Sequence, residues 1–151
     1  MKTRDIDIVV IGAGPGGYAA AFYAADLGQK VLLIEKDVLG GVCLNRGCIP
    51  SKALLHATEA LSEAKESAHR GITFSEPTID LDKLRAWKNG ILQKLSGGVA
   101  SLAKARNVEV LKARAIFEDN NTLRIETDKG QEYIRFQKAI IAVGSRPSLP
   151  G

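Results

Sequence analysis

Ile6-Asp7-Ile8-Val9-Val10-Ile11-Gly12-Ala13-Gly14-Pro15-Gly16-Gly17 is the stretch that decides the fold. Ile6, Ile8, Val9, Val10 and Ile11 form a near-continuous apolar run, the pattern of a strand buried on both faces. The run passes directly into G-x-G-x-x-G, and a helix is predicted from about Pro15 to Leu27, with Gly28 in the stop position. Val31 to Ile34 reads as a second apolar strand, ending at Glu35. Strand, glycine turn, helix and strand in this order open an α/β domain built on a parallel sheet.

The turn carries its own chemistry. Gly12 permits the tight bend, Gly14 lets a pyrophosphate approach the backbone, and Gly17 lets helix and strand pack closely. Pro15 stands at the helix start, where unpaired N–H groups and the helix dipole face a negatively charged ligand. Glu35 lies 18 residues beyond Gly17, about where a carboxylate accepts hydrogen bonds from an adenosine ribose. Its negative charge argues against a 2′-phosphate there. The motif indicates a dinucleotide without deciding between FAD and NAD.

Further along, Lys36 to Ser51 reads as irregular and holds Gly40, Gly41, Gly47, Pro50 and both cysteines. A helix is predicted from about Lys52 to Ala68, closed by Gly71, with Leu54, Ala57, Leu61, Ala64 and Ala68 as one buried stripe. After a turn around Pro77, another helix starts near Asp80. Leu81, Leu84, Trp87, Ile91, Leu95, Val99 and Leu102 line one side of it, Trp87 is expected to fill the core, and Gly97-Gly98 is a candidate break. The last third is β-rich: short strands at Val108 to Leu111, Thr122 to Glu126 and Tyr133 to Phe136, with turns at Asn120-Asn121 and Asp128-Lys129-Gly130. Lys138 to Val143 then reads as another central parallel strand ending at Gly144-Ser145-Arg146-Pro147, and Leu149-Pro150-Gly151 reads as a linker.

The 151 residues are 45% hydrophobic and 25% charged, the composition of a soluble globular domain able to bury a core. The net charge of +4 is scattered and forms no basic run, so no nucleic-acid partner is expected. The apolar runs are too short to span a bilayer, and Met1 to Asp5 leads straight into a strand with no apolar signal region. On these readings a cytoplasmic location is expected.

Cys43 and Cys48 are the only cysteines, five residues apart. Five residues of regular helix rise about 7.5 Å, past the roughly 7 Å reach of bridged Cα atoms. If the two are bonded, their segment is looped or distorted, and Gly47 with Pro50 makes that feasible. Cys48 precedes a predicted helix, where the dipole favours a thiolate, and Arg46 and Lys52 add cations on either side. Lys52 in a first helical turn opposes the dipole; either it points into water, or an anion or a flavin ring nitrogen lies near it. Inert thiols remain an alternative. His56 and His69 complete no zinc spacing with the cysteines, and no metal site is expected.

Gly40-Gly41-Val42-Cys43-Leu44-Asn45-Arg46-Gly47-Cys48-Ile49-Pro50-Ser51-Lys52 resembles the active-site segment of the pyridine nucleotide–disulfide oxidoreductases, and with Ala53-Leu54-Leu55 it looks most like their dihydrolipoamide dehydrogenase branch. The likeness covers essentially the whole chain. It implies a Rossmann-like FAD-binding domain, a parallel sheet with helices plus a small antiparallel β-meander, over residues 1–151. By the same resemblance, FAD occupies this nucleotide site, and NAD⁺ is the co-substrate in a separate domain. Cys43 would exchange with dihydrolipoamide, Cys48 would be the charge-transfer thiolate against the flavin, and Lys52 would contact the flavin near its reactive nitrogen. Glu35, Lys36, Gly40, Gly41, Val42 and Cys43 would wrap the ribose and pyrophosphate. Val143-Gly144-Ser145 matches a second flavin-contacting segment, and Ala115 aligns at the adenine end. Arg46 stands where the family often has an apolar residue, Val143 where it often has Thr, and Ala113 and Ala115 where glycines are frequent.

The family's NAD domain, its return segment to the flavin, and the dimerisation domain with its His–Glu pair have no counterpart in the 151 residues. The chain is therefore expected to be a fragment, incomplete relative to the full enzyme and not turnover-competent alone. The resemblance implies a homodimeric parent that oxidises dihydrolipoamide on a lipoyl domain, docked on a 2-oxo acid dehydrogenase complex core. A glutathione or mercuric reductase-like enzyme, and a non-catalytic FAD-binding fragment, are the alternatives.

Overall fold

The computed structural model describes residues 3–127, 130–146, 148 and 149. Among them, strands β1 (Thr3–Ile11), β2 (Val31–Glu35), β3 (Glu109–Lys112), β4 (Arg114–Phe117), β5 (Thr122–Thr127) and β6 (Gly130–Ile141) form one sheet in the order β3-β2-β1-β6-β5-β4. The first four in that order are parallel, with Ile8 opposite Val31, Leu33 opposite Val110 and Val10 opposite Ile140. β6, β5 and β4 continue as an antiparallel meander.

A parallel sheet has to be covered on both faces, and here two different devices do it. On one face, Val10, Val31 and Leu33 pack against Ala21 and Ala24 of helix α1 (Pro15–Asp26) and Ala103 of helix α4 (Leu81–Ala105). On the other, Val9, Leu32 and Ile34 meet Leu123, Ile125, Ile134 and Phe136, so the meander curls over the sheet it extends. That is why β1 and β2 read as unbroken apolar runs. Helix α2 (Gly41–Arg46) and helix α3 (Cys48–Glu66) follow β2, and a 3₁₀ turn at Ser67–Arg70 ends α3.

Several expectations are corrected. Residues 36–51 are not wholly irregular, because α2 lies inside them and α3 already starts at Cys48. Pro50 is accommodated as the third residue of α3, where its missing N–H has no intrahelical partner to lose. Tyr133 to Phe136 and Lys138 to Val143 are not two strands. β6 runs through Gln137, whose amide reaches the Asp7 carboxylate at 3.2 Å, and ends at Ile141. Strand β4 has no counterpart in the sequence reading.

Gly97-Gly98 does not break α4. Each glycine costs about 1 kcal/mol relative to alanine, and the helix is anchored on either side: Ser96 Oγ donates to the Leu39 carbonyl, and Val99 and Ala103 are buried. Trp87 is not in the core; it is 44% exposed. The predicted stripe of α3 is only half-buried at Ala57, Leu61 and Ala64, and Leu54 and Ala68 are exposed. The reason is position, since α3 packs chiefly on α2 and α4 instead of on the sheet. Asp128, Lys129, Pro147, Pro150 and Gly151, on which turn and linker readings fell, lie outside the described residues.

Candidate functional site

The site grows from the ends of β1 and β2. Gly12 has φ +98, and a Cβ on it would run into the Ala142 carbonyl oxygen beyond the end of β6. Gly17 lies so close to the Gly12 carbonyl that a Cβ there would overlap it. These two glycines serve the packing of the chain on itself. Gly14 differs: its φ is −71, and a Cβ would meet only the Gly41 Cα at 3.8 Å. The space it leaves lies outside the chain, where a ligand would approach, and Pro15 follows it as the first residue of α1.

The segment after β2 is interlocked with this turn. One Glu35 oxygen accepts the Ala13 N–H and the other the Asp37 N–H, each at 2.8 Å. The Gly40 N–H donates to the Ala13 carbonyl at 2.9 Å. Gly40 and Gly41, at φ +97 and +62, then turn the chain into α2. A residue with a Cβ fits neither place: at Gly40 it would press on Leu44, and at Gly41 it would lie 2.6 Å from the Gly14 Cα.

Helix α2 is short, and it is held by side chains whose partners the sequence did not name. Asn45 Nδ2 donates to the Leu39 and Gly41 carbonyls, both at 2.9 Å. Arg46 Nη2 lies 2.6 Å from Asp37 Oδ2. Arg46 was expected to add charge beside Cys48; its guanidinium is instead committed to Asp37. The visible signal for this pair was a lone Asp two residues past Glu35, which by itself names no partner.

Gly47 separates α2 from α3 with φ −133 and ψ −103. That break brings the Cα atoms of Cys43 and Cys48 to 4.8 Å, and the two form a disulfide. A continuous helix would have kept them about 7.5 Å apart along its axis. Ser51 Oγ and N–H both turn back to the Gly47 carbonyl, fixing the start of α3. Cys43 is half-buried and Cys48, the first residue of a 19-residue helix, is exposed. A thiolate at that position would face the positive end of the helix. Lys52 is one turn further on, exposed, with no ion pair among the described residues.

A cleft of about 360 Å³ opens beside the turn, lined by Gly12, Glu35, Lys36, Ala113, Arg114, Ala115 and Val143 among others. It collects five predicted site residues from four separate segments. Val42 is exposed on α2, and Gly144, at φ +67, and Ser145 are exposed beyond β6 outside this lining. His56 is exposed and paired with Glu59, and His69 is exposed. Among the described residues there is no cluster of three or more metal-ligating side chains, and no helix is long and apolar enough to cross a membrane.

Residues 6–151 match the family described as pyridine nucleotide-disulphide oxidoreductase. The chain is 51% identical over 143 residues to the dihydrolipoyl dehydrogenase of Bacillus subtilis (strain 168), covering 95% of the chain and 30% of that protein. It is 52% identical over 149 residues to the dihydrolipoyl dehydrogenase of Haemophilus influenzae, covering 97% of the chain and 30% of that protein. Among solved structures, a Cu(II) complex of the HOCl-induced flavoprotein disulfide reductase RclA from Escherichia coli superposes with a TM-score of 0.78 at 29% identity, over 97% of this chain and 30% of that one. The chain thus spans less than a third of the length of these relatives.

Proposed function

Because the chain belongs to the pyridine nucleotide-disulphide oxidoreductase family, we propose that it forms the FAD-binding, disulfide-bearing domain of an enzyme that oxidises dihydrolipoamide with NAD⁺. The observation that carries the reading is the break at Gly47, which closes the Cys43–Cys48 disulfide on a helix resting against the glycine turn.

The residues present fit FAD. The open side of Gly14 and the first turn of α1, which Pro15 starts, would take the diphosphate, with Gly12 and Gly17 setting the turn behind them. Glu35 and Lys36 would face the ribose, and Ala115 the adenine. Gly40, Gly41, Val42 and Cys43 would continue around the ribose and pyrophosphate, and Val143, Gly144, Ser145 and Lys52 would contact the flavin. Bound there, FAD supplies a two-electron acceptor between the dithiol and NAD⁺.

The chain's own part is thiol exchange. A dihydrolipoamide thiolate attacks Cys43 Sγ, forms a mixed disulfide and releases Cys48 as a thiolate. The second lipoyl sulfur then attacks the first, closing lipoamide and releasing Cys43 as a thiolate; two protons leave in all. The start of α3 holds the negative charge on Cys48.

The substrate would arrive on a lipoyl domain, and the parent would be a cytoplasmic homodimer bound to a 2-oxo acid dehydrogenase core. The 151 residues alone would not turn over. Identity of 51% to a dihydrolipoyl dehydrogenase against 29% to RclA favours lipoamide over another disulfide substrate. In the whole protein, Cys48→Ser should keep bound flavin and lose lipoamide turnover by several orders of magnitude. Normal turnover in that variant would overturn the reading, and faster turnover of glutathione or mercuric ion by the parent would move it to those substrates.

A further inference from the structure

Both oxygens of the Glu35 carboxylate are engaged by the chain itself. Oε2 accepts the Ala13 N–H and Oε1 the Asp37 N–H, both at 2.8 Å. Ala13 is fully buried, and its carbonyl accepts the Gly40 N–H at 2.9 Å. Both peptide planes around Ala13 are therefore clamped, one by Glu35 and one by Gly40. In a trans peptide the N–H and C=O point opposite ways. Holding the Ala13 carbonyl toward Gly40 thus fixes the direction of the Gly14 N–H, and holding the Ala13 N–H toward Glu35 fixes the Gly12 carbonyl against Gly17.

We infer that Glu35 is a positioning residue for the glycine turn, acting on it through the Ala13 amide independently of any contact with ribose hydroxyls. An ionised carboxylate suits this double task because it is acceptor-only and keeps spare lone pairs on both oxygens. A glutamine does not. Whichever way its amide lies, the NH₂ faces either the Ala13 N–H or the Asp37 N–H, donor against donor. Aspartate, one methylene shorter, cannot span both.

The inference rests on the reading that this turn holds the diphosphate of FAD, and the test separates the two. Whole protein stripped of flavin is titrated with FAD and with an FAD analogue carrying 2′,3′-dideoxyadenosine, for the parent and for Glu35→Gln. A Glu35 that acted only on the ribose would lose its effect on the dideoxy analogue. The staple predicts that Glu35→Gln still weakens the analogue, by about ten-fold, the scale of one lost charge-assisted hydrogen bond. It also predicts faster hydrogen exchange at the Ala13 amide in the flavin-free variant. Equal binding of the analogue by parent and variant, with unchanged exchange, would overturn it. If the variant fails to fold, the parent answers: its flavin-free Ala13 amide should be protected from exchange, and an unprotected amide would sink the inference. A parent that binds no FAD removes the functional reading and leaves the exchange result to decide the staple.

Discussion

Gly14 and Gly41 meet backbone against backbone, with a Cβ on Gly41 placed 2.6 Å from the Gly14 Cα. Through this contact the glycine turn and the helix that carries Cys43 sit at one fixed spacing, set by the absence of a side chain at Gly41.

Gly41→Ala therefore faces two costs at once: a left-handed φ of +62 and a clash with backbone that cannot swing away. A loss of about 2–4 kcal/mol is expected from strain and overpacking together, with flavin content in the whole protein falling well below half. Gly28→Ala is the control. Its φ is +81, yet nothing lies within 4 Å of the added atom. It should cost about 1 kcal/mol for the left-handed conformation alone and leave flavin content unchanged. Thermal melts and the flavin-to-protein absorbance ratio measure both, and full flavin in Gly41→Ala would mean the contact has slack.

The opening strand, turn and helix were legible in the sequence because each rests on a local pattern: an apolar run, a glycine spacing, Pro15 inside and Gly28 beyond the helix. Spacing also showed that Cys43 and Cys48 could be bonded only across a distortion near Gly47, which is where the chain breaks. What escaped depends on partners far along the chain. Helix α2 was read as loop because Gly40, Gly41 and Gly47 crowd it, while its hold comes from the Asn45 amide and buried Leu44. Trp87 and the α3 stripe show the limit of periodicity, which marks a face without saying what covers it. Gln137 looked like a gap between two strands because its partner, Asp7, lies 130 residues earlier. The Gly14–Gly41 contact and the Asp37–Arg46 pair are likewise relations between segments, invisible to a reading of either alone.

Asp119 sits in the β4–β5 turn and accepts the Asn121 N–H at 2.7 Å. That backbone hydrogen bond, with the Thr122 hydroxyl next, holds its carboxyl below the ordinary carboxylate range. A lowered folded pKa means a contribution present above the unfolded pKa of about 3.9 and lost as pH falls through the folded value. Asp119→Asn should therefore be slightly less stable than the parent at pH 7. The difference should close as both proteins are acidified through the unfolded carboxylate range and below it. Denaturant melts across this range check it, and a gap that persists at low pH would point to a neutral packing role.

Arg46 lies three residues after Cys43 on α2, on the same face of the helix, yet its guanidinium is held 2.6 Å from Asp37. Both side chains are largely exposed, at 62% and 47%, so the pair adds less than about 1 kcal/mol to stability. Its consequence is where the charge sits. Asp37→Asn would release the cation to turn toward Cys43, and a cation nearer the sulfur favours the Cys43 thiolate once the disulfide is reduced. Arg46→Gln would leave Asp37 uncompensated and act the other way. In the reduced whole protein, alkylation of Cys43 below its pKa should be about two- to three-fold faster in Asp37→Asn, slower in Arg46→Gln, and near the parent in the double variant, a pattern that a purely structural pair would not produce. In 1 M salt, where screening acts over about 3 Å, the three rates should converge. Rates that ignore both charge and salt would show that the guanidinium never reaches the thiol.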